Sequence, residues 1–365
     1  MKSKKTVAGL ALENIQLLSA YRPGFQPDSD DWVKLNTNES PYPPSPQVSQ
    51  AIQEIDGADL RLYPNPVSAD LREAIGDLHG LGSENVIVGN GSDDILNMLV
   101  RAFSKNDKPA TLVNPSYSLY PVLCGIQDTG VIEVPFDRSM EIPLGSISNI
   151  DASILFLTSP NAPTGVGFGN DVLRQLAESF EGIVVIDEAY ADFAKANAVE
   201  LLAEFPNIVI TRSLSKSYAL AGLRVGYGLA EKGLIDILDR VRDSYNVNRL
   251  SQVGALAAIK DQNYLTAIVG KIKRTRDFYR QEFQALGWFV YDSQANFLFL
   301  EPVNRNGEKG PHVAKALFDF LKENRILGRY FPAHALTEGF LRISVGDEDQ
   351  MLKLSETVEQ WLKTE

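Results

Sequence analysis

GIVVIDEAY (182–190) and NIVITRSLSKSYALAGLRVGYGLA (207–230) are the stretches whose reading decides the fold. Each begins with an unbroken run of aliphatic residues, IVVI at 183–186 and IVI at 208–210, with no polar alternation. A strand covered on both faces reads this way, and a parallel sheet flanked by helices is the setting that covers both. Each run then ends in polar side chains: Asp187 in the first, and Ser213, Ser215 and Lys216 in the second. In open parallel sheets, ligands bind beyond the carboxyl ends of the strands, so these residues are predicted to face a crevice.

The same pattern extends outward. NVIVGN (85–90), ATLVNP (110–115), VIEVPF (131–136) and SILFLTSP (153–160) read as strands, while SDDILNMLVRAF (92–103) and NDVLRQLAESF (170–180) read as helices, with Asn170 expected to cap the second. The alternation predicts an α/β fold: a large domain, residues 36–265, with a mostly parallel mixed sheet flanked by helices. Beyond about residue 262 the pattern changes to a long charged helix, ANFLFLEP, a helix from His312 to Asn324, GFLRISVG and a closing helix. This predicts a smaller α+β domain, residues 266–365, joined by an N-terminal arm, residues 1–35. The proline-rich turns PYPPSP (41–46) and YPNP (63–66) read as surface loops able to reach a partner subunit.

With 365 residues and a net charge of −12, the chain lacks the basic face that a nucleic-acid binder needs, so no nucleic-acid partner is expected. Cys124 is the only cysteine, which rules out an intrachain disulfide, and no apolar run approaches a membrane span. A cytoplasmic setting with no membrane association is expected. His79, His312 and His334 have no metal-ligand spacing, so no metal is expected, and the sequon at Asn38 reads as a chance match.

Lys216 lies in an apolar run with Arg224 eight residues on. Burial and a neighbouring cation are the two influences that make a lysine a neutral nucleophile, so Lys216 reads as a buried Schiff-base partner for a carbonyl. Gly91, Ser92 and Asp93 open an amphipathic helix directly after a strand, which offers free N–H groups to a phosphate. GNGSDD lacks the glycine spacing of a dinucleotide fingerprint, which argues against a nicotinamide cofactor.

A phosphate cradle, a carbonyl-seeking lysine and a carboxylate together ask for a phosphorylated aromatic aldehyde. In that order, NGSDD, PSYSLY, SPNAPTG, VVIDEAY, SLSKSYALAGLRVGYG and GFLRISVG resemble the fold type I pyridoxal-phosphate aminotransferases. More narrowly, YRPG, LNTNESPYPPSP and RLYP resemble the histidinol-phosphate aminotransferase family. The resemblance implies transfer of an amino group between glutamate and imidazole-acetol phosphate, in two half-reactions on pyridoxal 5'-phosphate. The same motifs also occur in aromatic amino-acid transaminases and phosphothreonine decarboxylases. A non-catalytic regulator on this scaffold is disfavoured by the absence of a basic module.

Carried onto this chain, the resemblance makes Lys216 the residue that condenses with the cofactor and then shuttles the proton, with Asp187 keeping the pyridine nitrogen protonated. It assigns Asn161 and Tyr190 to the phenolic oxygen and Tyr117 to the ring face. Gly91, Ser92, Asp93, Ser213, Ser215 and Arg224 would hold the phosphate. Tyr63 would reach the cofactor of a partner in a homodimer, and Tyr21, Asn36, Asn90, Arg329 and Arg342 would line the substrate pocket. Two departures from the family pattern spare the cofactor residues but bear on substrate preference: Ser40 stands where asparagine is usual, and Phe25, expected at the pocket entrance, where lysine is common.

Overall fold

The computed structural model describes residues 8–18, 25–27, 29, 31–105 and 107–364. Its strands are β1 (Val33–Lys34), β2 (Val86–Gly89), β3 (Ala110–Asn114), β4 (Val131–Pro135), β5 (Ile154–Thr158), β6 (Ile183–Asp187) and β7 (Ile208–Ser213), followed by β8 (Gly226–Ala230), β9 (Phe289–Val290), β10 (Phe297–Glu301), β11 (Ile326–Leu327), β12 (Arg329–Tyr330) and β13 (Leu341–Ser344).

The large sheet has the order β2-β8-β7-β6-β5-β3-β4. Strand β8 runs antiparallel to both of its neighbours, and the other pairs are parallel, so β2 through β7 all point one way. This accounts for the unbroken aliphatic runs, because successive side chains leave a strand on opposite faces. Val184 and Ile186 enter a core that includes Leu173 and Leu176 of the helix Asn170–Ser179. Val185 and Val209 enter another, with Ile95 and Leu99 of the helix Ser92–Phe103 and Leu238 of the helix Lys232–Val241. Asn170 is the first residue of its helix rather than the cap: Gly169 holds the cap position, and the Asn170 amide donates to Asn197 O and Glu200 instead.

The second sheet, β12-β13-β10-β9, is antiparallel. One face, including Leu298, Leu300 and Ile343, packs with the helices Pro311–Glu323 and Glu348–Thr364. From the other, Phe297 and Phe299 join the core of the large sheet. The chain's N-terminal part is tied in by parallel pairing of β1 with β11. Asn38 continues the tie: its backbone N–H donates to Ser344 Oγ at 2.9 Å, and its carbonyl accepts from Asn296 Nδ2 at 3.0 Å. Asn38 is 1% exposed, so the sequon is inaccessible.

Directly after Asp187, Glu188 lies buried beside Arg212, with Nε and Nη2 at 2.9 and 2.7 Å from Oε2. Arg212 also meets Asp192 at 3.2 Å, and Asp192 accepts from Ser217, next to Lys216. The ends of β6 and β7 are thus tied beneath the lysine loop. Removing one partner of a buried pair strands the other charge. Arg212→Leu is therefore expected to lower the unfolding free energy by about 3–5 kcal/mol, and the double variant Arg212→Leu/Glu188→Leu to recover much of it, as read by urea denaturation.

Candidate active site

The ends of β5, β6 and β7 lie side by side, with Thr158, Asp187 and Thr211 in register. Asp187 is 3% exposed and accepts from Tyr120 OH at 2.7 Å on Oδ2 and from Thr211 Oγ1 at 3.1 Å on Oδ1. Burial pushes its carboxyl up from 3.8 to about 6, while the two hydroxyls pull it back down. The carboxylate therefore carries a desolvation cost that its neighbours only partly offset.

Lys216 follows the end of β7. It is half-buried rather than buried, because it forms part of the wall of an open pocket of about 740 Å³. Its Nζ donates to Thr37 O at 3.2 Å and stands 5.9 Å from the centre of the Tyr190 ring. Tyr117, Tyr190, Asn36, Arg329 and Arg342 line the same pocket. The Tyr117 hydroxyl donates to Asp93 at 3.2 Å, and the Tyr190 hydroxyl accepts from Asn38 Nδ2 at 2.9 Å. Asn36 donates to Phe25 O and accepts at its carbonyl from Arg342, at 2.9 and 3.1 Å.

The helix Ser92–Phe103 starts at this same edge, preceded by Gly91 at φ 88° and without a side-chain cap. Its first N–H groups have no acceptor within the helix. Gly91 needs glycine for its positive φ, and a Cβ on Gly226 would stand only 2.2 Å from the Ser92 backbone nitrogen, so close approach requires glycine there. Arg224 donates to Ser215 Oγ at 3.3 Å and to Asp93 at 3.2 Å, and Ser213 Oγ accepts from Ser215 N. Ser213, Ser215 and Arg224 thus gather around an uncapped helix N-terminus that could hold a phosphate.

Other expected positions lie elsewhere. Asn161 is fully buried behind Ala162 and Pro163 of the pocket wall, its amide donating to Pro115 O and accepting from Thr164. Asn90 is exposed, its N–H donating to Asp94. Tyr63 is 76% exposed and stacks on Tyr245 at 4.4 Å in a separate groove with Arg61 and Arg249. Tyr21 lies outside the described residues. Sequence reasoning missed Tyr120, Thr158, Thr211 and Asn38. All four fall in stretches quoted above, and Tyr120 stands three residues after Tyr117 in PSYSLY, but none carries a local mark of its partner.

A carboxyl held above its ordinary value by folding favours the folded state most when protonated. The contribution of Asp187 in the ligand-free protein is therefore fullest below about pH 4 and is lost as the pH rises to about 6. The span is roughly 3 kcal/mol. In ligand-free protein, the stability of Asp187→Asn relative to wild type is expected to rise by about that amount between pH 4 and 7 in urea denaturation. A difference independent of pH would contradict this account of the site.

The family model for aminotransferase class I and II matches residues 30–358. The histidinol-phosphate aminotransferase of Syntrophotalea carbinolica is 43% identical over 93% of this chain and 96% of its own length, and that of Citrifermentans bemidjiense 42% over 93% and 95%. A crystal structure of histidinol-phosphate aminotransferase from Sinorhizobium meliloti, in complex with pyridoxal-5'-phosphate, superposes with a TM-score of 0.82. It is 25% identical, with 91% of each chain covered. With a parallel sheet that brings a lysine, a buried carboxylate and an uncapped helix start to one edge, the chain belongs to the class I and II aminotransferases, a fold type I, pyridoxal-phosphate-dependent family.

Proposed function

We propose that this chain moves an amino group between L-histidinol phosphate and 2-oxoglutarate, returning imidazole-acetol phosphate and glutamate, as a cytoplasmic homodimer in histidine biosynthesis. The observation that carries the substrate is the pairing of Arg329 and Arg342 as direct neighbours across β12 and β13, in the pocket that contains Lys216. Both guanidinium groups lie against Phe331, at 5.7 and 5.2 Å. Two planar forks side by side suit a phosphate or a carboxylate, the anions of the two expected substrates. The names of the curated relatives point the same way.

The residues on this edge fit pyridoxal phosphate. The helix start at Ser92 with Arg224 matches a phosphate, the buried carboxyl of Asp187 matches a protonated ring nitrogen, and Lys216 Nζ is open to the pocket. When bound, the cofactor supplies an aldehyde that takes up the amino group and a ring that accepts the electron pair left on the substrate carbon. Lys216 Nζ is the base that removes and returns the proton at that carbon. Asp187 keeps the proton on the ring nitrogen, since a neighbouring cation draws its carboxyl back to the ionised form. The Tyr117 ring orients the cofactor face, the Tyr190 hydroxyl and the Asn161 amide proton not given to Pro115 would serve the phenolic oxygen, and Asn36 sets Arg342 through its carbonyl. Tyr63, with its exposed ring and groove, is suited to reach a second copy's site. On this reading, residues 36–265 carry the cofactor, and the arm with residues 266–365 carries the substrate cations.

Mixing purified protein with histidinol phosphate should bleach the bound cofactor's absorbance, and 2-oxoglutarate should restore it. Lys216→Ala is expected to abolish turnover and leave no pyridoxyl label on its peptide after borohydride treatment. Arg329→Gln and Arg342→Gln should each lower kcat/KM for histidinol phosphate roughly 10- to 100-fold, the loss of a charge-assisted contact. Equal rates for phenylalanine or phosphothreonine in wild type would count against the substrate assignment. Mixed Lys216→Ala and Tyr63→Phe subunits should yield more activity than the two variants apart, since one hybrid site is then intact.

A further inference from the structure

Tyr120 donates to Asp187 from a fully buried position, and it takes no part in the reaction described above. Its oxygen is 2.7 Å from Asp187 Oδ2 and 2.7 Å from Thr158 Oγ1, which is in turn 3.2 Å from Ser116 Oγ. One phenol has one proton, and an ionised carboxylate can only accept. The chain therefore has a single direction while Asp187 is ionised: Ser116 gives to Thr158, Thr158 to Tyr120, and Tyr120 to Asp187. The tyrosine cannot drift, because its ring stacks on Phe156 at 4.7 Å and meets Tyr117 edge-on at 5.6 Å. Burial also pushes the phenol well above its ordinary value, so it remains a donor.

We propose that Tyr120 is a positioning residue for Asp187: its hydroxyl fixes the carboxylate's orientation and favours its ionised form, leaving the remaining lone pairs for the cofactor's ring nitrogen. The inference rests on the cofactor reading given above. Tyr120 also connects Tyr117 to Asp187, through one aromatic contact and one hydrogen bond.

Tyr120→Phe keeps the ring and its stacking and removes only the hydroxyl. The dissociation constant for pyridoxal phosphate, measured by equilibrium dialysis, should rise roughly tenfold, the value of a hydrogen bond to a charged group. The kcat should fall by a similar factor while KM for the amino donor is unchanged. In the Asp187→Asn background the same substitution should change cofactor affinity by less than about twofold, because the bond it removes is no longer charge-assisted. The thermal midpoint of the ligand-free protein reports whether the variant folds, and Thr158→Val, which removes the donor to Tyr120, should reproduce the affinity loss in part. An equal loss in both backgrounds, or none in the wild-type background, overturns the proposal. Wild-type protein that binds no pyridoxal phosphate would instead overturn the reading beneath it.

Discussion

A carboxylate buried at the end of a parallel strand is expensive to keep, and the architecture around Asp187 is organised by that expense. Taking an ionised carboxyl out of water costs several kcal/mol unless donors or a cation replace the hydration. Strands β5 and β7 bring Thr158 and Thr211 alongside, and the helix after Tyr117 brings Tyr120, yet the carboxyl remains above its ordinary value. What the protein leaves uncompensated is what a neighbouring cation would supply. The parallel arrangement allows this because it puts the ends of β2, β3, β5, β6 and β7 on one edge, so the acid, the lysine and the helix start are neighbours by topology.

The pocket draws its cations from two sheets. Lys216 comes from the large sheet's edge, whereas Arg329 and Arg342 come from the antiparallel sheet, stacked on Phe297 and Phe331. A strongly acidic chain can bind anions only if a few positive groups are concentrated this way. The two sheets are held in register by Asn38, whose backbone and side chain reach Ser344, Asn296 and Tyr190. A small displacement of that seam would move the arginines relative to the lysine.

Much of this was legible in the chain. The run IVVI at 183–186 predicts a strand covered on both faces, and the structure sends Val184 and Val185 to different cores. Lys216 and Asp187 stood out because each ends such a run. The antiparallel direction of β8 was not legible, since a glycine-rich strand carries no mark of direction. Strands β1 and β11, two residues each, are too short to show a period. Contacts such as Asn38 with Tyr190 join residues 152 positions apart, and no local pattern encodes them. Asn161 shows the same limit in reverse. Its position beyond a strand end was readable, but the turn that engages its amide with Thr164 and Pro115 was not.

The partners of Asn38 also set an order of events during synthesis. Asn38 and Ser344 are 306 positions apart. At ribosomal rates of about 5–20 residues per second, the first waits roughly 15–60 s for the second to be translated. The large sheet, complete by residue 230, can form while the ribosome is still working, but the seam that sets Arg329 and Arg342 against it cannot. The nascent chain therefore has its lysine and its buried carboxyl at one sheet edge before the two arginines can be set opposite them.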